Sequence, residues 1–147
     1  MNALPPAYVE FGQTLAFTER TLTAVLRSHL AQREVEPETW YALKLVAAGG
    51  PRVARSLLAQ DLEGSRGLDA DSTSALLVRL AIDGMITGDD AVDLTEEGTT
   101  LFESLRDDVL RATVDLLGQF DLGDIETTVR TCRAITQRAQ EGTNSAA

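Results

Sequence analysis

Residues 67–98 read GLDADSTSALLVRLAIDGMITGDDAVDLTEEG, and the order of signals in this run decides the fold. Asp71 or Ser72 can cap a helix whose Thr73, Leu76, Leu77 and Leu80 make one apolar face, and Asp83-Gly84 stops it. Met85-Ile86-Thr87 and Ala91-Val92-Asp93-Leu94 are short runs of strand type separated by Gly88-Asp89-Asp90, a turn-forming cluster. A helix followed by a small two-stranded hairpin is expected. Thr95 is then placed to cap the next helix.

Upstream, residues 52–62 carry Val53, Leu57, Leu58 and Leu62 at helical spacing. Residues 63–68 read as a glycine-containing turn joining this helix to the one above, so the two form a helix-turn-helix pair. Before them, Thr39 or Glu38 can open a helix bearing Trp40, Leu43 and Val46 that ends at Gly49-Gly50-Pro51. A longer helix follows Pro5-Pro6, with Phe11, Leu15, Leu22, Leu26 and Leu30 on one stripe to about Arg33. Downstream, Leu101, Leu105, Val109, Ala112 and Leu116 form a stripe flanked by Phe102, Leu110 and Leu117, broad enough for burial on two sides. A last helix begins near Gly123-Asp124, carries Ile125, Val129, Cys132 and Ile135, and ends before Gly142 in a polar tail at residues 141–147.

The expected architecture is therefore mainly α, one winged helix-turn-helix domain over residues 1–147. Residues 37–98 hold the helix-turn-helix and wing, and residues 7–33 and 99–141 form long flanking helices. At 147 residues such a chain can bury a substantial core. The longest apolar stretch, near residues 42–48, is interrupted by Lys44 and is too short to span a bilayer, so no membrane partner is expected. Residues 1–6 lack the pattern of a secretory signal. A lone Cys132 excludes an internal disulfide and fits a reducing cytoplasm. It shares an apolar stripe, which suits packing better than oxidant sensing.

The net charge of −10 disfavours phosphate backbones unless positive charge is concentrated on one face. No such face stands out. Between Arg79 and Arg106 there is no lysine or arginine, while Asp83, Asp89, Asp90, Asp93, Glu96, Glu97 and Glu103 are all acidic. For catalysis the inventory is thin, since the single histidine and cysteine are far apart in sequence. No phosphate loop or His/Cys metal spacing is present, so no cofactor or metal is expected.

The run from Gly67 to Leu80, its continuation to Gly84-Met85-Ile86, and Leu94-Thr95-Glu96-Glu97-Gly98 together resemble the MarR family of bacterial transcription regulators. The resemblance spans almost the whole chain. It implies a homodimer joined through the first and last two helices, duplex DNA as a partner, and release of DNA by a small aromatic or phenolic ligand or an oxidant. Three departures accompany it. Residues 63–66 look like an insertion of about four residues between the paired helices. Ala70, Ala75 and Asp83 stand where relatives often carry arginine, leaving Arg79 alone of that set. The wing is short and acidic, where the family's is basic.

In this arrangement Ser72, Ser74 and Arg79 are the candidates for base edges and phosphates, with Arg52, Arg55 and Arg66 on flanking phosphates. Against that stands a simply solvated helix surface. Trp40 and Tyr41, with Phe17, Arg20 and His29, are the candidates for a ligand pocket. Against that, Trp40 is ordinary core and His29 a surface residue complementing a helix end. The leading expectation is a ligand-responsive DNA-binding regulator. The alternative is a winged-helix relative that has lost DNA binding and holds a protein or small molecule, with an enzyme using the inter-helix pocket a more remote third.

Overall fold

The computed structural model describes residues 3–146. The chain divides into two compact units, one reaching to Val109 and one from Leu110 onward.

The first unit opens with α1 (Pro6–Ala31), whose Pro6 at the first turn lacks the amide that a helix start leaves unbonded anyway. Only Leu30 of α1 is buried. α2 (Pro37–Gly49) begins in the same way on a proline, and it is the central element, burying Trp40, Ala42, Leu43 and Val46. α3 (Arg55–Arg66) contributes Leu58 and Leu62, α4 (Ala70–Ile82) contributes Thr73, Leu77 and Leu80, and α5 (Glu96–Leu117) contributes Leu105. Ile86 and Val92 of the wing complete this core. Each large aliphatic side chain enclosed there is worth about 1.5–3 kcal/mol over its exposed state.

The wing has three strands, not the two that the hairpin signals announced. β2 (Ile86–Thr87) and β3 (Ala91–Leu94) form the expected hairpin, and β1 (Val53–Ala54) pairs antiparallel with the other edge of β3, giving the order β1-β3-β2. The register sets Val53 opposite Val92 and Ile86 opposite Leu94. A two-residue strand has no periodicity to read, and β1 exists only because β3 offers it an edge. Its entry is fixed by Arg52, which adopts a φ of 62° and donates its amide to Asp93 Oδ1 at 2.5 Å.

The paired helices also differ from expectation. Residues 63–66 are the last turn of α3 and not a loop, ending at Gly67 with a φ of 66°, a left-handed conformation open to glycine at little cost. α4 is capped by Asp69, two or three residues earlier than the capping signals suggested. Its carboxylate accepts the Ser72 amide at 2.7 Å.

The second unit holds the end of α5 and α6 (Leu122–Ala146), which continues through residues expected to fray. Asp121 caps α6 by accepting the Asp124 amide at 3.1 Å. No described residue of α6 is buried, Cys132 is only partly covered, and Leu110, Val114, Phe120, Leu122, Val129 and Ile135 are exposed. No helix among the described residues is long and apolar enough to cross a membrane.

Candidate nucleic-acid interface

A helix-turn-helix can grip a duplex only if its second helix is rigidly seated and its outer face is bare. α4 meets the first condition through Asp69. That carboxylate takes the amide of Ser72, and its backbone carbonyl takes both the amide and the hydroxyl of Thr73, at 3.0 and 2.9 Å. The hydrogen bonds from Ser72, backbone first and hydroxyl second, hold the Asp69 carboxyl below its ordinary value, with a smaller contribution from the Asp71 amide and against a small opposing effect of burial. Inward, Thr73, Leu77 and Leu80 anchor the helix. Outward, Asp71, Ser74, Ala75, Val78, Arg79 and Ile82 are exposed.

The six residues that the sequence singled out for DNA separate into two groups. Ser74 and Arg79 lie on the bare face of α4, and Arg52 is exposed beside β1 at the base of the wing. Among the described residues, neither Arg52 nor Arg79 joins an ion pair. The other three are engaged within the fold. Ser72 serves the Asp69 cap with both its amide and its hydroxyl. Arg66 lays its guanidinium 4.0 Å from the centre of the Tyr41 ring, with its Nε buried and unbonded.

Arg55 is bound to the wing. Its Nε donates to the Asp89 carbonyl at 2.6 Å, a terminal nitrogen donates to the Gly88 carbonyl at 3.2 Å, and its amide donates to the Asp90 carbonyl at 2.8 Å. Three successive carbonyls of the turn are thus taken by one residue at the start of α3. The turn itself needs Gly88, whose φ is 105° and where a Cβ would fall 1.9 Å from the Ala91 carbonyl oxygen. This arrangement folds the wing tip against its own base and leaves the Asp89 and Asp90 side chains exposed. Sequence gave no hint of it, because the partners are more than thirty residues apart and no local pattern links them.

The five residues expected to form a ligand pocket are likewise divided. Trp40 is 4% exposed and stacks on Phe102, with ring centres 5.7 Å apart and planes 18° from parallel. Tyr41 is covered by Arg66. Phe17, Arg20 and His29 lie exposed along α1, Phe17 at 66%. Phe17 precedes the buried Leu30 by thirteen residues, about 20 Å of helix. Phe102, which the sequence placed only on a flanking stripe, is the side chain that meets Trp40. Among the described residues no group of three or more His, Cys, Asp or Glu side chains is placed to hold a metal ion.

No protein-family model matches the sequence, and no curated protein matches it. Solved structures do match in shape. A MarR family protein from Bacillus stearothermophilus is 20% identical, with 94% of this chain and 99% of that one covered at a TM-score of 0.72. A MarR family transcriptional regulator from Rhodococcus sp. RHA1 is 17% identical, with 92% and 97% covered at 0.73. The Staphylococcus aureus MarR, solved in complex with salicylate and kanamycin, is 16% identical, with 91% and 93% covered at 0.76. The chain has the winged-helix fold of MarR-type regulators.

Proposed function

We propose that this chain is a homodimeric, DNA-binding transcription regulator of the MarR type that responds to a small aromatic or phenolic ligand. The observation that carries the reading is the capped, core-anchored α4, whose exposed face presents Ser74 and Arg79 without internal partners. In this reading Arg79 and Ser74 approach base edges and Arg52 holds a phosphate. Ser72, Arg55 and Arg66 reach phosphates only by leaving the contacts they make now. Dimerisation is supported by the exposed Tyr8, Phe11, Leu15, Leu22 and Val25 of α1, too many large apolar side chains on one helix for a free surface. Phe17, Arg20 and His29 contribute an exposed ligand wall on α1, while Trp40, stacked on Phe102, and Tyr41, under Arg66, are engaged within the fold. Salicylate, bound by the Staphylococcus aureus protein, is an aromatic anion of the class such a wall with Arg20 suits.

Selection of random duplex DNA by the purified protein at low salt tests the reading. An enriched palindrome, lost with Arg79→Ala, supports it, and the absence of any enriched site ends it.

One observation favours a second reading. The wing tip is acidic and Arg55 is committed to its backbone carbonyls, so the tip offers none of the cations that phosphates need and only Arg52 remains at the base of the wing. A winged-helix frame that has lost DNA binding and instead holds a protein or small molecule accounts for this directly. The same selection experiment decides between the two.

A further inference from the structure

Beside the wing, an open groove of about 670 Å³ runs between the end of α2, β3 and the start of α5, and no residue of α4 lines it. Its walls are apolar, from Val46, Pro51, Leu94 and Phe102, and its charged lining consists of Asp93 and Glu103 alone. No lysine or arginine lines it.

We propose that this groove binds a small organic cation with an apolar body. The volume lies within the range of roughly 300–1,000 Å³ typical of small-molecule sites. Its charge disfavours anions and favours a cation, because both charged residues that line it are acidic and neither joins an ion pair among the described residues. Asp93 spends one oxygen on the Arg52 amide. Arg52 neighbours the groove through its backbone but is not among the residues that line it. Two further cations are turned to rings: Lys44 Nζ stands 5.9 Å from the centre of Trp40, and the Arg106 guanidinium 5.7 Å from that of Phe102. An inorganic cation would not use the apolar walls, whereas an organic one places its charge at Asp93 and Glu103 and its body on Leu94, Pro51 and Phe102. Thr87 and Asp93 belong to the wing, so occupancy bears on wing position. The site is independent of whether α4 reads DNA and is distinct from the α1 ligand wall.

Tetraphenylphosphonium and tetraphenylborate have the same shape and opposite charge, so titration calorimetry of the intact protein with each isolates the electrostatic part. The expected result is binding of the phosphonium at one molecule per chain, with the borate at least tenfold weaker. The fluorescence of Trp40, the only tryptophan, should change on binding, since its stacking partner Phe102 lines the groove. Glu103→Gln, at an exposed helix position, and Asp93→Asn, which keeps an acceptor for the Arg52 amide, should together weaken the phosphonium tenfold or more. Circular dichroism confirms that both variants fold. Equal binding of the two probes, phosphonium binding unaffected in the double variant, or binding of an oligoarginine peptide without the phosphonium overturns the proposal.

Discussion

The backbone of Gly98 lies so close to the Met85 carbonyl that a Cβ at position 98 would sit 2.0 Å from its oxygen. Thr95 explains why the approach is needed. Its amide donates to the same Met85 carbonyl at 3.0 Å, its hydroxyl donates to the Gly84 carbonyl at 2.5 Å, and its Oγ accepts the Gly98 amide at 2.9 Å. One threonine therefore caps α5 and ties it to the turn that ends α4. The Thr-Glu-Glu-Gly run is a hinge pin between helix and wing, in which threonine supplies the bonds and glycine the clearance.

Gly98→Ala should accordingly cost about 1–3 kcal/mol through overpacking, and Thr95→Ala about 0.5–2 kcal/mol through loss of the cap. Urea denaturation followed by circular dichroism measures both. Because the two act on one contact, the double variant should lose less than the sum of the singles. Strict additivity would mean that the cap and the close approach are unrelated.

The helices were legible because each carries its own period: the stripe of Leu76, Leu77 and Leu80 states both that α4 is a helix and which side is buried. Features that depend on distant partners were not. β1 is two residues long and defined by its pairing with β3, and the commitments of Arg55 to the wing turn and Arg66 to Tyr41 join positions with no shared local pattern. The end of α3 does carry a local signal, since Gly67 is the kind of residue that closes a helix. The candidate interface was half legible for the same reason. Sequence can put Ser74 and Arg79 on an outer helical face, but it cannot tell that Ser72, Arg55 and Arg66 are already occupied.

Asp69 predicts a feature of the acid limb of stability. Its carboxyl is held below the ordinary value in the folded chain, first by the Ser72 amide and then by the Ser72 hydroxyl. A depressed folded value means that its contribution is complete above the ordinary carboxylate range and is lost as the pH falls through the folded value. Asp69→Asn keeps a capping oxygen but has no proton to take up. Its urea midpoint should therefore fall less steeply with acidification than that of the parent, while the two curves run parallel near neutrality. Identical slopes in acid would remove Asp69 as a source of the pH dependence.

The Arg55 contacts predict a wing that loosens without unfolding. Arg55→Ala removes both guanidinium bonds to the turn and keeps the amide bond to Asp90. Hydrogen bonds to a charged group are worth about 1.5–3 kcal/mol when sheltered and less where water competes, so a global cost near 1 kcal/mol is expected. Amide hydrogen exchange should accelerate in residues 88–93 and stay unchanged in α2. Arg55→Lys, with one compact charge in place of a planar fork, should restore only part of the protection. Acceleration spread evenly over the first unit would show that Arg55 supports the core and not the wing.

The wing's charge makes the sharpest prediction for nucleic acid. Asp89 and Asp90 are exposed at the tip, and their backbone carbonyls, not their carboxylates, hold Arg55, so their side chains can be exchanged without breaking that contact. Asp89→Lys with Asp90→Lys adds two cations per chain at the tip of the wing. If α4 docks on a duplex, the added lysines should raise affinity at low salt and steepen the dependence of log K on log salt by about two per subunit. Fluorescence anisotropy with a labelled duplex, at several salt concentrations, gives that slope directly. A parent protein with no measurable affinity and a lysine variant with a steep, sequence-indifferent one would place the duplex outside the parent's repertoire, because the cations alone would then have created the binding. An unchanged slope with affinity intact would mean that the wing never approaches the backbone and that α4 binds without it.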